Sequence, residues 1–353
     1  MMKLNYIHLL LGRLFRPFQV LGWVGNGILA VLLLMLHPTG GRAQVDPHFS
    51  QYYLQPMSLN PALTGAIDGD YRVAGIFRSQ YANTLISKGA SAEVVSNKHT
   101  NFGLQVLNQT TNDQSYNLTN GYLSMAYNGA RFGKEGNHVI SMALECGFIN
   151  RRFDVSKLQF GSQWISGTGY TASNSSGESF VKPSVFSFDA GAGIAYFDNT
   201  PGKKVNIFGG IAAFHLTRPN NPYLSNGNTD RMDMRLSIQA GARIKGSDSW
   251  TLVPTMLYMK QGWAEEKMLG AYFQVYASVN TDFMAGLNYR FKDAVIPFAG
   301  FFYKGLTVGM SYDANANAAS NIAVKRNSLE LSISFVGIRK SHIATNNFSC
   351  PRF

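Results

Sequence analysis

The sequence predicts an all-β protein: a transmembrane antiparallel β-barrel of about 14 strands, preceded by an N-terminal non-strand segment that could form a plug. Three observations support this fold: an export leader, a period-two alternation of apolar and polar residues, and connections that alternate between short and long. The composition agrees, because only 14% of the 353 residues are charged and 35 are glycine. An ordinary domain carries about 25% charged residues. Such a composition favours many strands joined by tight turns.

The first 43 residues have the features of a signal peptide. A basic stretch precedes an apolar core at Ile28–Leu36, and Gly41 and Ala43 supply the small residues that place the cut after Ala43. A membrane anchor is the alternative, but this core is shorter than the ~20 residues of a spanning helix. The predicted organisation is a signal peptide (1–43), an N-terminal periplasmic or plug segment (44–70), the barrel (71–337) and a C-terminal periplasmic tail (338–353).

The stretch His48–Gly65, "HFSQYYLQPMSLNPALTG", has neither a helical nor a strand period. Pro56 and Pro61 exclude a continuous helix and a central strand. The stretch is also too apolar to remain a flexible, solvated leader, so we expect it to fold back as a plug or to lie against the periplasmic rim. The residues expected to act in the plug or in partner binding are Phe49, Tyr52, Tyr53, Pro56, Asn60 and Pro61.

Alternation identifies the strands. Along Met232–Ile244 and Leu329–Phe335 every second residue is apolar, which is typical of strands with one apolar and one polar face. Several runs reach the ~9–11 residues of a membrane-crossing strand. The apolar set changes face in the fourth strand, which predicts a bulge near Asn120–Gly121. The predicted strands begin near Tyr71, Ser87, Phe102, Ser115, Asn137, Ser184, Lys204, Met232, Trp250, Glu266, Thr281, Ala294, Leu306 and Asn327.

The connections predict the topology. Those after strands six, eight, ten and twelve are tight, whereas Asn150–Pro183, Thr217–Arg231 and Ala314–Arg326 are long. Outer-membrane barrels alternate short periplasmic turns with longer outer loops, so we expect the long connections outside. A secreted soluble β protein is the alternative. Contacts with a partner are predicted at aromatic residues of these loops, namely Trp164, Tyr170 and Tyr223.

The polar faces carry charges of both signs. A selective pore usually shows a ring of one sign, whereas balanced charges pair with each other, because an isolated charge away from water is costly. About fourteen strands leave space inside the barrel. The alternative is an open channel whose charged side chains simply face water. The predicted lumen network consists of Arg72, Glu145, Asp189, Arg235, Arg243, Arg290 and Glu330.

Motifs for catalysis and for cofactor or metal binding are missing from the sequence. It has no HExxH, P-loop or GxSxG, and no histidine pair at metal-ligand spacing. His215, at a predicted strand end, is the one candidate for hydrolysis, and we interpret it as structural. The two cysteines, Cys146 and Cys350, form no disulfide framework, and Cys146 is predicted to face lipid beside the inward Glu145.

The net charge of +11 includes four basic residues of the leader, and no basic cluster stands out in the remainder. We therefore expect no nucleic-acid partner, no cofactor and no catalysis.

The start of the predicted mature chain, "QVDPHFSQYYLQPMSLNPALTG", resembles the N-terminus of the PorP/SprF family of outer-membrane proteins associated with type IX secretion. Further matches follow in order. They are "SFDAGAGIAY" (187–196), "FHLTRPN" (214–220), "LGAYF" (269–273), "VGMSYDAN" (308–315) and the terminal "CPRF". One departure is Tyr81, since the family usually has tryptophan after "RSQ".

The resemblance implies an outer-membrane barrel that works with type IX secretion and, in some members, with gliding motility. Such proteins are thought to help a cognate large secreted protein, often an adhesin, to reach or stay at the cell surface. The implied partners are that secreted protein, other type IX components and outer-membrane lipid. Barrel architecture alone supports a passive porin or substrate transporter equally well, and this is the alternative function.

Overall fold

Fourteen antiparallel strands form a closed barrel in the computed structural model, which describes residues 46–96, 99–177, 183–220, 231–315 and 327–338. Each strand pairs with its neighbours in sequence, and the last strand pairs with the first. The predicted fold is confirmed, and every strand begins within three residues of its predicted start. The strands are β1 (Tyr71–Gln80), β2 (Leu85–Val94), β3 (Thr100–Thr111), β4 (Tyr116–Phe132), β5 (His138–Phe153), β6 (Ser184–Asp198), β7 (Val205–Phe214), β8 (Arg235–Ser247), β9 (Trp250–Gln261), β10 (Ala264–Ser278), β11 (Thr281–Arg290), β12 (Ala294–Tyr303), β13 (Leu306–Asn315) and β14 (Ser328–Gly337).

The outward face of the barrel is apolar. On β3, for example, Phe102 and Leu104 are exposed, whereas Asn101 and Gln105 are buried. Because alternate side chains of a strand point to opposite faces, the exposed apolar residues form the belt that a lipid bilayer requires, and the polar residues face the lumen. Cys146 is exposed on this outward face, as predicted. None of the helices in the described ranges is long and apolar enough to cross a membrane.

The two ends of the barrel differ in their connections. At the end where β1 begins and β14 ends, here called the turn end, neighbouring strands are joined by two to six residues. The opposite end, here called the loop end, carries the three longest connections in the chain, 154–183, 215–234 and 316–327. The long connections therefore share one end of the barrel.

The bulge predicted in β4 is wrong. The strand stays in register with both neighbours through 120–121, and its irregularity lies between Tyr127 and Ala130. The apolar residue Leu118, which suggested the change of face, points into the lumen and packs there with Ile149 and Met232. The apolar residues at the start of β4 therefore line an apolar patch of the lumen and do not mark a change of face.

The start of β8 also differs from the prediction. The strand begins at Arg235 instead of Met232, and Met232 turns inward and is buried. Asp233 belongs to the polar face of the alternation along Met232–Ile244, but it is exposed instead of lying in the lumen, and its carboxylate lies 3.7 Å from the guanidinium of Arg218. Lys245 is likewise exposed near the turn end of β8. Asp233 precedes the first ladder pair of β8, where residues no longer follow the alternation of the strand, so at this end the sequence pattern extended past the strand itself.

Epitope tags test which end of the barrel faces out. Tags inserted in the connections 154–183 and 215–234 should bind antibody on intact cells, because long connections of such barrels lie outside. A tag between Asp248 and Ser249, at the turn end, should bind antibody only after the membrane is permeabilised. The opposite labelling pattern would show that the barrel is inserted the other way round.

Candidate functional site in the barrel lumen

Residues Asp46–Asp70, here called the lumen segment, run through the inside of the barrel from the loop end to the turn end. The amide of Asp46 donates to the side chain of Gln261, the last residue of β9, at 3.1 Å. The amide of Gly65 donates to Glu93, near the opposite end of the barrel on β2, at 2.8 Å. The segment therefore lies inside the barrel and then continues directly into β1.

The lumen segment is folded as three short helical turns. They span Tyr52–Leu54, Pro56–Leu59 and Pro61–Leu63. Proline suits the first position of a helical turn because it needs no hydrogen bond there. Asn60 caps the third turn by accepting the amide N–H of Ala62 at 2.8 Å. This series of one-turn elements explains why the stretch has no long period in the sequence.

Apolar residues of the segment form a core with the inward faces of the strands. Phe49 is buried with Ile76 and Leu107, and the ring centroid of Tyr53 lies 5.4 Å from that of Phe298. Leu59 is buried against residues of β9, β10 and β12. Of the six residues predicted for this segment, two are half-buried, Tyr52 and Tyr53, and four are buried: Phe49, Pro56, Asn60 and Pro61.

A cluster of wall charges, here called the Ser50 anchor, binds the backbone of the segment near the loop end. Glu330 accepts the amides of Ser50 and Gln51 at 2.9 and 2.6 Å. The hydroxyl of Ser50 donates to Asp313 at 2.8 Å, and Arg78 donates to Asp313 at 2.7 Å. Because buried backbone amides need partners, this arrangement fixes both the position and the direction of the segment.

Arg290 extends the Ser50 anchor to β10 and β11. Its guanidinium lies 3.0 Å from Asp313 and 2.9 Å from Asp293, and its Nε lies 3.3 Å from Glu266. Glu266 in turn lies 2.9 Å from the imidazole of His48 in the lumen segment. Each buried charge in this cluster thus faces an opposite charge, which offsets the cost of removing it from water.

A second cluster, here called the Asp46 anchor, binds the first described residue of the chain. The two ring nitrogens of His215 bond to the carboxylates of Asp46 and Asp189. Arg235 lies 3.6 Å from Asp46, and the hydroxyl of Tyr122 donates to Asp189 at 2.7 Å. An imidazolium can donate from both nitrogens, so this histidine can join the segment to the wall.

Nearer the turn end, Asn60 reaches the barrel wall itself. Its amide nitrogen donates to the carbonyl of Ile194 on β6 at 3.1 Å. A Cβ atom added at Gly193 would lie 2.0 Å from the Asn60 oxygen, and one added at Gly210 would lie 2.7 Å from its nitrogen. Any side chain at these two positions would displace Asn60. The glycines of β6 and β7 therefore provide the space in which this asparagine fits.

Six of the seven residues predicted for the lumen network are buried, and Arg243 is half-buried near the turn end of β8. The buried residues belong to separate groups instead of one network. Arg72 pairs with Glu93, while the hydroxyl of Ser124 donates to Glu145 at 3.4 Å. The predicted set lacked the other residues of the anchors, which are Asp46, His48, Ser50, Gln51, Arg78, Tyr122, His215, Glu266, Asp293 and Asp313. The sequence held one signal for them: Ser50 and Gln51 are polar residues between aromatic ones in "HFSQYY". Polar groups inside a barrel require hydrogen-bond partners, so these two residues could have been predicted to bind the wall.

The connection 154–183 presents aromatic residues at the loop end. Trp164–Ile165 pairs with Gly169–Tyr170 in a small hairpin, and the ring centroids of Trp164 and Tyr170 are 6.3 Å apart. Trp164 is 58% exposed and Tyr170 is 37% exposed. The third predicted loop residue, Tyr223, lies outside the described residues. In the part of the chain that is described, no group of three or more metal-ligating side chains could hold an ion.

A closed barrel with an apolar belt and its own N-terminal segment in the lumen defines the class as a membrane β-barrel of the outer-membrane type. The family model of the type IX secretion system membrane protein PorP/SprF matches residues 41–335. The chain belongs to this family. It is therefore an outer-membrane component of type IX secretion, and its expected partners are other components of that system.

Several solved structures are similar in outline. The Pseudomonas putida toluene transporter TodX matches with a TM-score of 0.48 and 8% identity, over 84% of this chain and 95% of that chain. A Pseudomonas aeruginosa FadL homologue matches with a TM-score of 0.41 and 10% identity, over 78% and 92%. The KdgM porin in complex with disordered oligogalacturonate matches with a TM-score of 0.36 and 4% identity, over 75% of this chain and 98% of that chain. Likenesses this remote carry no argument about function. No curated protein matches the chain.

Replacing Glu330 by glutamine tests the Ser50 anchor. The variant keeps the side-chain size but weakens two charge-assisted bonds to backbone amides and leaves Arg78 with less opposite charge. We expect the free energy of unfolding to fall by about 2 kcal/mol or more. This corresponds to a fall of about 5 °C in the temperature at which the folded gel band converts to the unfolded one.

Glu265→Gln is the matched control, because Glu265 lies on the same end of the barrel but is exposed. An exposed ion pair contributes only ~0–1 kcal/mol, so this variant should behave as wild type. If both variants convert at the wild-type temperature, Glu330 does not hold the segment.

Proposed function

We propose that this protein is a closed accessory barrel of type IX secretion that supports the secretion or surface attachment of a cognate large, adhesin-like protein. In some settings this task would serve gliding motility, as the family resemblance implies. One observation carries the proposal: the lumen is occupied by the chain's own N-terminal segment, which is bound to the wall by buried charges. A barrel filled in this way suits a scaffold for partners better than a channel for solutes.

The energetics of the two anchors support a lumen that stays closed. Moving the segment out would separate Glu330 and Asp313 from Ser50, and Asp46 from His215. A hydrogen bond to a charged group contributes about 1.5–3 kcal/mol, and moving the segment out would lose several of them at once. An open state would therefore be rare without a partner that compensates these contacts. This favours the accessory role over the alternative of a passive porin or transporter.

The loop end supports a partner surface. Trp164, Ile165 and Tyr170 are exposed together on the connection 154–183. Exposed aromatic residues are enriched at protein–protein interfaces, where they supply much of the binding energy. The proposal includes no catalysis: both ring nitrogens of His215 are bonded to carboxylates, which leaves neither to activate a nucleophile.

Deleting His48–Gly65, with the leader and β1 kept, tests the closed lumen. The barrel should still insert in the membrane and show a heat-modifiable gel band, because the strand ladders remain. Its lumen should open, so the cells should become more sensitive to small antibiotics, and the purified barrel should show steady conductance in planar bilayers. Surface display of the cognate protein should also fall.

The matched control deletes the hairpin Trp164–Tyr170 instead. It should leave permeability and conductance at the wild-type level while cargo display falls. Wild-type permeability and wild-type display after deletion of His48–Gly65 would refute the plug. Large steady conductance of the intact protein would favour the porin.

Substituting the two exposed loop aromatics by alanine tests the partner surface with a smaller change. In Trp164→Ala/Tyr170→Ala we expect at least about a thirtyfold loss of retained cargo, measured by whole-cell immunoblot, since truncating one strong interface aromatic costs about 2 kcal/mol. Val279→Ala is the control, because Val279 is 90% exposed but lies at the turn end. Equal retention in all three proteins would exclude these aromatics as the main contact.

A further inference from the structure

Charge on the lipid-facing side of the barrel is concentrated at one place. Among the outward-facing positions of the fourteen strands, five carry an exposed charged residue: Lys88, Arg152, Lys260, Glu265 and Lys267. The last three lie together on β9 and β10, near the loop end, and are here called the lysine patch. A charge that faces the middle of the bilayer destabilises a barrel, whereas one near the headgroups is tolerated. Three neighbouring charges on this face are more than the barrel fold itself requires.

The hairpin of β9 and β10 brings the three side chains of the lysine patch together. Lys260 is directly opposite Glu265 in the ladder, and Lys267 is opposite Tyr258. The ammonium of Lys267 lies 3.0 Å from the carboxylate of Glu265 and 5.9 Å from the ring centroid of Tyr258. Residues directly opposite each other have Cβ atoms about 5 Å apart, so both lysines flank the same carboxylate. Two lysines therefore share one acid, and the patch keeps an excess of positive charge.

Aromatic residues around the lysine patch indicate where it lies in the bilayer. Trp263, in the turn between β9 and β10, is exposed, and so is Tyr289 on the outward face of β11. Girdles of aromatic residues mark the two interfaces of a membrane barrel. Farther from the loop end, the outward face of β10 carries exposed apolar residues, among them Leu269 and Phe273. The lysines therefore lie at the height of the lipid headgroups, directly beside the region of the acyl chains.

We propose that the lysine patch binds the phosphorylated headgroup of a lipid A-type lipid in the outer leaflet of the outer membrane. The loop end faces out in such barrels, and the phosphates of this lipid are the anions at that height. Lys260 and Lys267 donate to a phosphate group as point charges, and the acyl chains lie along Leu269 and Phe273. An anion suits the excess positive charge better than a zwitterionic headgroup does. The site needs no secreted partner, so it stands or falls independently of the proposed function.

Native mass spectrometry of the protein released from lipid nanodiscs tests the site. The nanodiscs contain a zwitterionic phospholipid and a small share of either bisphosphorylated lipid A or the same lipid A with its phosphates removed. Each lysine near a charged lipid surface contributes ~1 kcal/mol, so two lysines correspond to about thirtyfold in affinity. We expect the wild type to prefer the bisphosphorylated form by about this factor. In Lys260→Gln/Lys267→Gln the two forms should be retained almost equally.

Lys88→Gln/Arg152→Gln is the matched control. It removes the same number of positive charges from the same face and end of the barrel, but the ladder partners of both residues are uncharged. It should keep the wild-type preference, and every variant should show the heat-modifiable gel band of a folded barrel.

Equal retention of the two lipid A forms by the wild type would overturn the proposal. An equal loss of preference in both double variants would overturn it too, because the binding would then depend on overall charge and not on the lysine patch. Release of lipid A by inorganic phosphate alone would show that the patch binds a free anion instead of a lipid. A wild-type lipid preference in Lys260→Gln/Lys267→Gln, together with lower cargo display, would assign the patch to a protein partner.

Discussion

The pairing of charge inside the barrel is the constraint on which the rest of the structure depends. The lumen segment excludes water from much of the interior, so polar groups there must find partners in the protein. Ser50 and Gln51 supply the amides that Glu330 needs, and Asp46 supplies a carboxylate for His215. The segment and the wall are therefore mutually dependent, because the polar groups of each find hydrogen-bond partners in the other.

This constraint also explains the composition of the wall. The outward face has to suit lipid only, and almost any large apolar residue serves there. The inward face is specific: glycines at 193 and 210 leave space for Asn60, and small or apolar residues of β4, β5 and β6 surround Ala62 and Ala66. The inside of the barrel is thus a packed core, in which the N-terminal segment is the central element and the inward faces of the strands surround it.

The two anchors and the longest connections lie toward the same end. Asp46 and Ser50 bind residues near the loop end, where Trp164 and Tyr170 are also exposed. The turn end, by contrast, has short connections and is where the segment enters β1. In the function proposed above, the surface that meets the secreted partner and the first residues of the lumen segment are neighbours, so a partner at the loop end would bind close to the charges that hold the lumen closed.

The sequence by itself determined the number of strands, their approximate starts and the outward position of Cys146, because alternation is a local property of each strand. It also placed the long connections on one end, since strand order fixes which connections share an end. Only the tertiary structure decided which charges meet: Ser50 and Glu330 are 280 positions apart, and Asp46 and His215 are 169 apart. Alternation tells which face a side chain takes but not its height in the barrel. Height depends on the register of all fourteen ladders as the barrel closes, and this is why Arg243 is only half-buried and why Leu118 in the lumen was mistaken for the sign of a bulge.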